Sequence, residues 1–140
     1  MDSNLRRSII LDNYNNPNNR ERHDNDDYIK TNSRNISCID NIDVYVKIKD
    51  NTIKDITYEG EACAISISSS SIISNLLKDK TLEQAKEIIN NYYNMIEEKE
   101  YNKELLEEAN VFDEIYKQPS RKMCATLIVR GIEEIINEIK

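Results

Sequence analysis

The run Ile42-Asp43-Val44-Tyr45-Val46-Lys47-Ile48 alternates residue by residue. Only an extended strand sends successive side chains to opposite faces, so Ile42, Val44, Val46 and Ile48 share one face of a half-buried strand. Asp50-Asn51 follows as a turn signal, and a second strand over about 53–59 puts Ile56 and Tyr58 on one face. Strands joined this closely pair antiparallel. Residues 28–34 are expected to add a third strand. So small a sheet needs cover on its apolar face.

That cover comes from segments of helical pattern. Residues 3–14 form a short amphipathic helix carrying Leu5, Ile9 and Ile10, with Ser3 available as N-cap. After the second strand, Ile65, Ile72, Ile73, Leu76 and Leu77 recur at helical spacing, and the small hydroxyls of Ser68–Ser71 allow close packing. A helix over about 82–97 starts at a capping box of Thr81 and Gln84. A helical turn is expected around 103–109. A last helix spans about 121–139, with Ile128, Ile132, Ile135 and Ile139 on one face and Pro119 or Ser120 at its start. The segment 15–27, rich in Asn and Asp with Pro17, reads as a mobile polar loop. The fold class is therefore α+β: a small antiparallel three-stranded sheet with helices packed on one face, in a single domain over 1–140.

Composition narrows the function. Charged residues make up 32 % of the 140 residues and the net charge is −7, which argues against nucleic acid and fits a basic partner surface. No apolar run approaches the roughly 20 residues that cross a bilayer. Arg6 and Arg7 precede no signal-peptide core, so a cytoplasmic, non-membrane protein is expected. Three cysteines cannot all pair internally, and reduced cytosolic thiols more often serve metals or catalysis.

Cys38 and Asp40 lie just ahead of the first clear strand, and Cys63 just after the second. A hairpin brings the start of its first strand beside the end of its second, so these three come together. Cys124 joins them if the last helix points its N-terminus at that corner, where the helix dipole would favour a thiolate. Three thiolates and a carboxylate suit Zn²⁺, and thiolate-rich sites also suit iron or iron–sulfur clusters. The spacing is not a CxxC pattern, and three buried structural cysteines remain an equal reading of it.

Four segments carry a resemblance. "LRRSIILDNYNNP" at 5–17, "SCID" at 37–40, "YEGEACAISISSSSIIS" at 58–74 and "RKMCATL" at 121–127 follow the order and spacing of the SufU/IscU (NifU N-terminal domain) family of iron–sulfur cluster assembly. The insertion at about 101–118 resembles the SufU branch. IscU-type scaffolds are shorter there and carry a His just before the third cysteine, where this chain has Met123. The resemblance implies a SufE/NifU-like fold, with zinc on Cys38, Asp40, Cys63 and Cys124. It also implies sulfur accepted as persulfide from a SufS-type cysteine desulfurase and handed to downstream cluster-assembly proteins. Whether such a protein counts as an enzyme, a sulfurtransferase, is left open.

The mechanism expected from this likeness is ligand exchange at zinc. Cys38, on the most mobile segment, is released as the acceptor, while Asp40, Cys63 and Cys124 keep the metal. Arg121 matches an arginine near the family's site and would offset the negative charge of four anionic ligands. The rival functions are an iron–sulfur scaffold and a structural zinc domain. Ile39 and Ala62 stand where the family has glycine, and Met123 where SufU-like proteins have Lys, which would stiffen ligand exchange. His23 is expected to be a solvated loop residue, and Tyr92 and Tyr93 to be packing residues. The acidic stretch from Glu97 to Glu108 reads as a solvated face or a surface for a basic partner.

Overall fold

The computed structural model describes residues 1–139. Helix α1 (Ser3–Asn15) leads into strands β1 (Ile29–Arg34), β2 (Asn41–Lys49) and β3 (Thr52–Glu61). Helices α2 (Ala64–Leu77), α3 (Leu82–Ile96) and the single turn α4 (Lys103–Leu106) follow. Two 3₁₀ turns, over 107–112 and 115–117, then lead to α5 (Pro119–Ala125) and α6 (Leu127–Glu138). The sheet has the order β1-β2-β3 and is antiparallel throughout. This is the α+β arrangement expected from the sequence.

Local chemistry explains most of the boundaries. Asp50 and Asn51 both take positive φ, 53° and 60°, the pattern of a two-residue type I′ hairpin turn that Asx residues tolerate. Thr81 Oγ1 accepts from the Gln84 N–H while Gln84 returns a bond to the Thr81 N–H, closing the capping box at the start of α3. Pro119 opens α5 at the position where a missing N–H costs nothing.

Ile42, Val44, Val46, Ile56 and Tyr58 are fully buried on the inner face of the sheet, beneath α2 and α6. Gly131 lets α6 lie against β2, because a Cβ there would stand 2.8 Å from Val44 Cγ2. Tyr92 is buried in the core with its ring edge-on to Phe112, and Tyr93 is part-buried with its hydroxyl on Glu133.

Three expectations change. The polar segment 15–27 is anchored on the sheet: Glu21 N–H donates to Tyr58 O and Tyr58 N–H to Asn19 O, which extends the edge of β3. His23 is part-buried and stacked on Tyr28 with ring centroids 4.1 Å apart, and together with Arg22 it helps cover Tyr45 on the outer face. Aromatic burial outweighs the polarity of the surrounding loop. The C-terminal helix is two helices broken at Thr126, and Ile139 lies beyond them, 41 % exposed.

Gly60 sits on β3 opposite Ile42, at φ 147°, where a Cβ would stand 2.2 Å from the Asn41 carbonyl oxygen. Gly60→Ala should lower stability by on the order of 1–3 kcal/mol from backbone strain alone, and by more from the clash. An unchanged urea midpoint for that variant would show that the β2–β3 end is not held this tightly.

Candidate metal centre

Four chain segments converge at one end of the sheet. Asp40 immediately precedes β2 and is 2 % exposed. Cys38 is on the exposed turn before it, held by its N–H bond to Asn35 O. Cys63 is the N-cap of α2, and Cys124 is buried in the last turn of α5. One donor atom from each of the four lies within 4.8 Å of every other. The hairpin register makes the first three meet: Asn41 pairs with Glu61, so the residues just outside that pair stand together.

The placing of Cys124 differs from expectation. It sits near the C-terminal end of a seven-residue helix, so the start of its own helix does not face its thiolate. The helix start that does face the site is that of α2, whose Cys63 N–H donates to Asp40 Oδ1 at 2.7 Å. The positive end of a 14-residue helix therefore acts on the carboxylate.

Asp40 is the hub of the hydrogen bonding. Ser66 Oγ lies 2.5 Å from its Oδ2, and the Cys38 and Cys63 thiols each donate to it at 3.7 Å. Ser66 has one proton to give and shares it between Asp40 and the Cys124 carbonyl at 3.1 Å. Burial pushes the Asp40 carboxyl upward, but the bonds from Ser66, the Cys63 N–H and the thiols outweigh it and hold the group below the usual range. The Cys124 thiol is pushed up to about 12, by burial first and then by its neighbours Cys63 and Asp40. Asn35 Nδ2 also donates to Cys124 Sγ at 3.6 Å. Ser66 and Asn35 carry no local sequence signal. Only the fold brings them to the cysteines.

The donor set fits a single tetrahedral ion. With metal–sulfur distances near 2.3 Å, tetrahedral ligand atoms stand about 3.8 Å apart; Cys38 Sγ lies 3.7 Å from Asp40 Oδ1, Cys63 Sγ lies 3.7 Å from Oδ2, and all four donors fall within 4.8 Å of one another. A multi-iron cluster distributes its ligands over separate metals and spreads them wider. Arg121 is exposed and lines one hollow with Cys38, Cys63 and Cys124, and its side chain has no hydrogen-bond or ion-pair partner among the described residues. Neither Ile39 nor Ala62 takes a positive φ, so the Cβ at each meets no left-handed backbone penalty.

This fold and site define a class. The sequence model of the NifU-like N-terminal domain matches residues 5–136. The chain belongs to that family, which includes the SufU and IscU proteins. Among its relatives, it is 31 % identical over 131 residues to the zinc-dependent sulfurtransferase SufU of Bacillus subtilis, spanning 93 % of this chain and 88 % of that one. It is 28 % identical over 106 residues to the iron–sulfur cluster assembly scaffold protein IscU of Thermotoga maritima, spanning 76 % and 75 %. The crystal structure of a putative scaffold protein for the SUF system from Fervidobacterium islandicum superposes with a TM-score of 0.84 at 26 % identity, covering 89 % of this chain and 91 % of that one. A NifU-like N-terminal protein of Brucella abortus, at 20 % identity and TM-score 0.84 over 94 % of this chain and 91 % of that one, shares the fold. No helix of the described residues is long and apolar enough to cross a membrane.

Removing the Ser66 hydroxyl should cost about 1–3 kcal/mol, since it leaves the buried carboxylate short of a donor. A carboxyl lowered in the folded state contributes stability above its unfolded pKa that is lost as pH falls through the folded value. In metal-free Ser66→Ala that acid loss should be smaller than in the parent and complete at a higher pH, on top of the lower overall stability. Superimposable acid-unfolding curves would show that Ser66 does not support Asp40.

Proposed function

We propose that this protein is a zinc-dependent sulfur-transfer protein of cytoplasmic iron–sulfur cluster assembly, taking persulfide sulfur from a SufS-type cysteine desulfurase onto Cys38. Zinc would be held by Cys38, Asp40, Cys63 and Cys124. The carrying observation is the graded exposure of the three thiols: Cys38 exposed, Cys63 intermediate, Cys124 buried. A purely structural site has no need to present one thiol to solvent. The compact donor set supports one ion over a cluster. The SufU likeness over most of both chains supports the same choice.

When bound, zinc supplies the positive charge that keeps the thiols deprotonated at neutral pH and ties four segments together. The residues do the rest. Cys38, on an exposed turn, is the thiolate that can leave the donor set with least rearrangement. Its Sγ attacks the outer sulfur of the desulfurase persulfide. A new sulfur–sulfur bond forms at Cys38 as the old one breaks, and the desulfurase cysteine leaves as a thiolate. Asp40, fixed by Ser66 and the Cys63 N–H, keeps its place with Cys63 and Cys124 throughout. Arg121 adds positive charge beside the thiolates and so steadies the departing sulfur anion.

The protein added to a SufS-type desulfurase should raise conversion of cysteine to alanine, and mass spectrometry should find the added sulfur on Cys38. Cys38→Ser should abolish both effects. Cys124→Ala should lose the metal and melt at lower temperature, because the buried thiol anchors α5 to the site. Sulfur mapped to Cys63 or Cys124 instead would overturn the assignment. Zinc content without stimulation or persulfide would make this a structural zinc domain.

A further inference from the structure

Cys38 stands on a ridge between two hollows. One, of about 450 Å³, also holds Cys63, Cys124 and Arg121. The other, of about 550 Å³, opens on the outer face of the sheet and contains no other cysteine. Sulfur acceptance makes no use of the second. Its lining carries charges of both signs: Arg22 and Arg34 against Asp40, Asp43, Glu59 and Glu61, with Asp40 already held by the Cys63 N–H and Ser66.

Those charges are not equivalent. Asp43 is met by Arg22 at 3.5 Å and Lys30 at 3.7 Å, and Glu59 by Arg20 at 3.0 Å. The side chains of Arg34 and Glu61 have no hydrogen-bond or ion-pair partner among the described residues. The register sets these two in one row across the sheet: Arg34 opposite Asn41, and Asn41 opposite Glu61. Cross-strand partners point to the same face, and two strand spacings put the outer Cα atoms roughly 10 Å apart. A guanidinium thus reaches in from one side and a carboxylate from the other, and the two do not close on each other. Asn41 stands between them, its Oδ1 accepting from Asn32 Nδ2 at 2.7 Å, and the hollow that these three line suits one small molecule that carries both charges.

We propose that this hollow binds the zwitterionic head of an α-amino acid, and that its ligand during turnover is a small thiol bearing that head, the acceptor that clears sulfur from Cys38. Arg34 takes the carboxylate in a forked pair and Glu61 takes the ammonium. The ligand's thiolate attacks the outer sulfur of the Cys38 persulfide. That sulfur bonds to the ligand as its bond to Cys38 Sγ breaks, Cys38 leaves as a thiolate, and the small thiol departs as a persulfide. One sulfur atom moves and no outside oxidant or reductant is needed. The transfer step rests on the sulfur-acceptance reading above, whereas the binding step does not.

S-methyl-L-cysteine carries both charges but no free thiol, so it separates binding from sulfur and metal chemistry. Titrated into the metal-loaded full chain, it should shift the Arg34, Asn41 and Glu61 amide resonances saturably. Arg34→Gln or Glu61→Gln should weaken binding roughly tenfold or more. A flat titration of the folded parent protein to tens of millimolar would overturn the site. For transfer, protein with persulfide verified on Cys38 is treated with L-cysteine, with cysteamine, which lacks the carboxylate, or with 3-mercaptopropionate, which lacks the ammonium. Arg34→Gln should slow clearance by cysteine and mercaptopropionate and leave cysteamine unaltered. Clearance rates identical in parent and variant for all three thiols would overturn the acceptor role. Failure to load Cys38 at all would count against sulfur acceptance, and the S-methyl-L-cysteine titration still decides the site.

Discussion

Asp40 is a carboxylate with 2 % of its surface exposed. A buried charge without partners costs several kcal/mol, so the chain around it has to supply donors. They come from different elements: the N–H of Cys63 at the start of α2, the Ser66 hydroxyl one turn further on, and the thiols of Cys38 and Cys63. Satisfying this one group fixes the entry to β2 against the start of α2. Ser66 extends the tie to α5 through the Cys124 carbonyl. The three cysteines are held around this carboxylate, and a cation among them would replace thiol protons as the partner of its charge.

The break between α5 and α6 does comparable work on the other side. Ending a helix at Ala125 frees carbonyls that need donors. Arg130 Nη2 donates to Met123 O at 2.7 Å, and Ser69 and the Tyr92 hydroxyl both reach Ala125 O, at 3.1 and 2.7 Å. Ser33 on β1 donates to Leu127 O at 2.7 Å. Ser66 and Ser69 of α2 are therefore buried donors aimed at the kink that positions Cys124, while Ser68 and Ser70 bond back into their own helix. Cys124 ends up buried and Cys38 exposed, so the difference in the roles proposed for them follows from the backbone each sits on.

The sequence made the hairpin legible, because alternation and the Asp50-Asn51 turn are local signals that tertiary packing had no reason to override. The capping box of α3 was legible for the same reason, whereas the N-cap of α1 is Asp2 and not Ser3, because the Asp2 carboxylate accepts from the Asn4 N–H at 2.7 Å. The meeting of Cys38, Asp40 and Cys63 followed from hairpin register alone. What stayed hidden depends on contacts distant in sequence. The kink at Thr126 is made tolerable by donors on α2, α3 and β1, and nothing within residues 121–139 marks it. Ser66 looked like one of many serines until the fold set it on Asp40. His23 sits in a polar stretch, yet Tyr28 and Tyr45 offer it an aromatic stack. Ile39 and Ala62, where the resembling family has glycine, take no positive φ.

The proposed sulfur transfer requires Cys38, Asp40, Cys63 and Cys124 to form one metal tetrahedron. X-ray absorption at the zinc edge on the isolated protein measures that first shell directly. Three sulfurs at about 2.3 Å and one oxygen at about 2.0–2.2 Å are the result expected. A shell of nitrogen and oxygen alone, or a protein carrying iron with acid-labile sulfide in place of zinc, would contradict it.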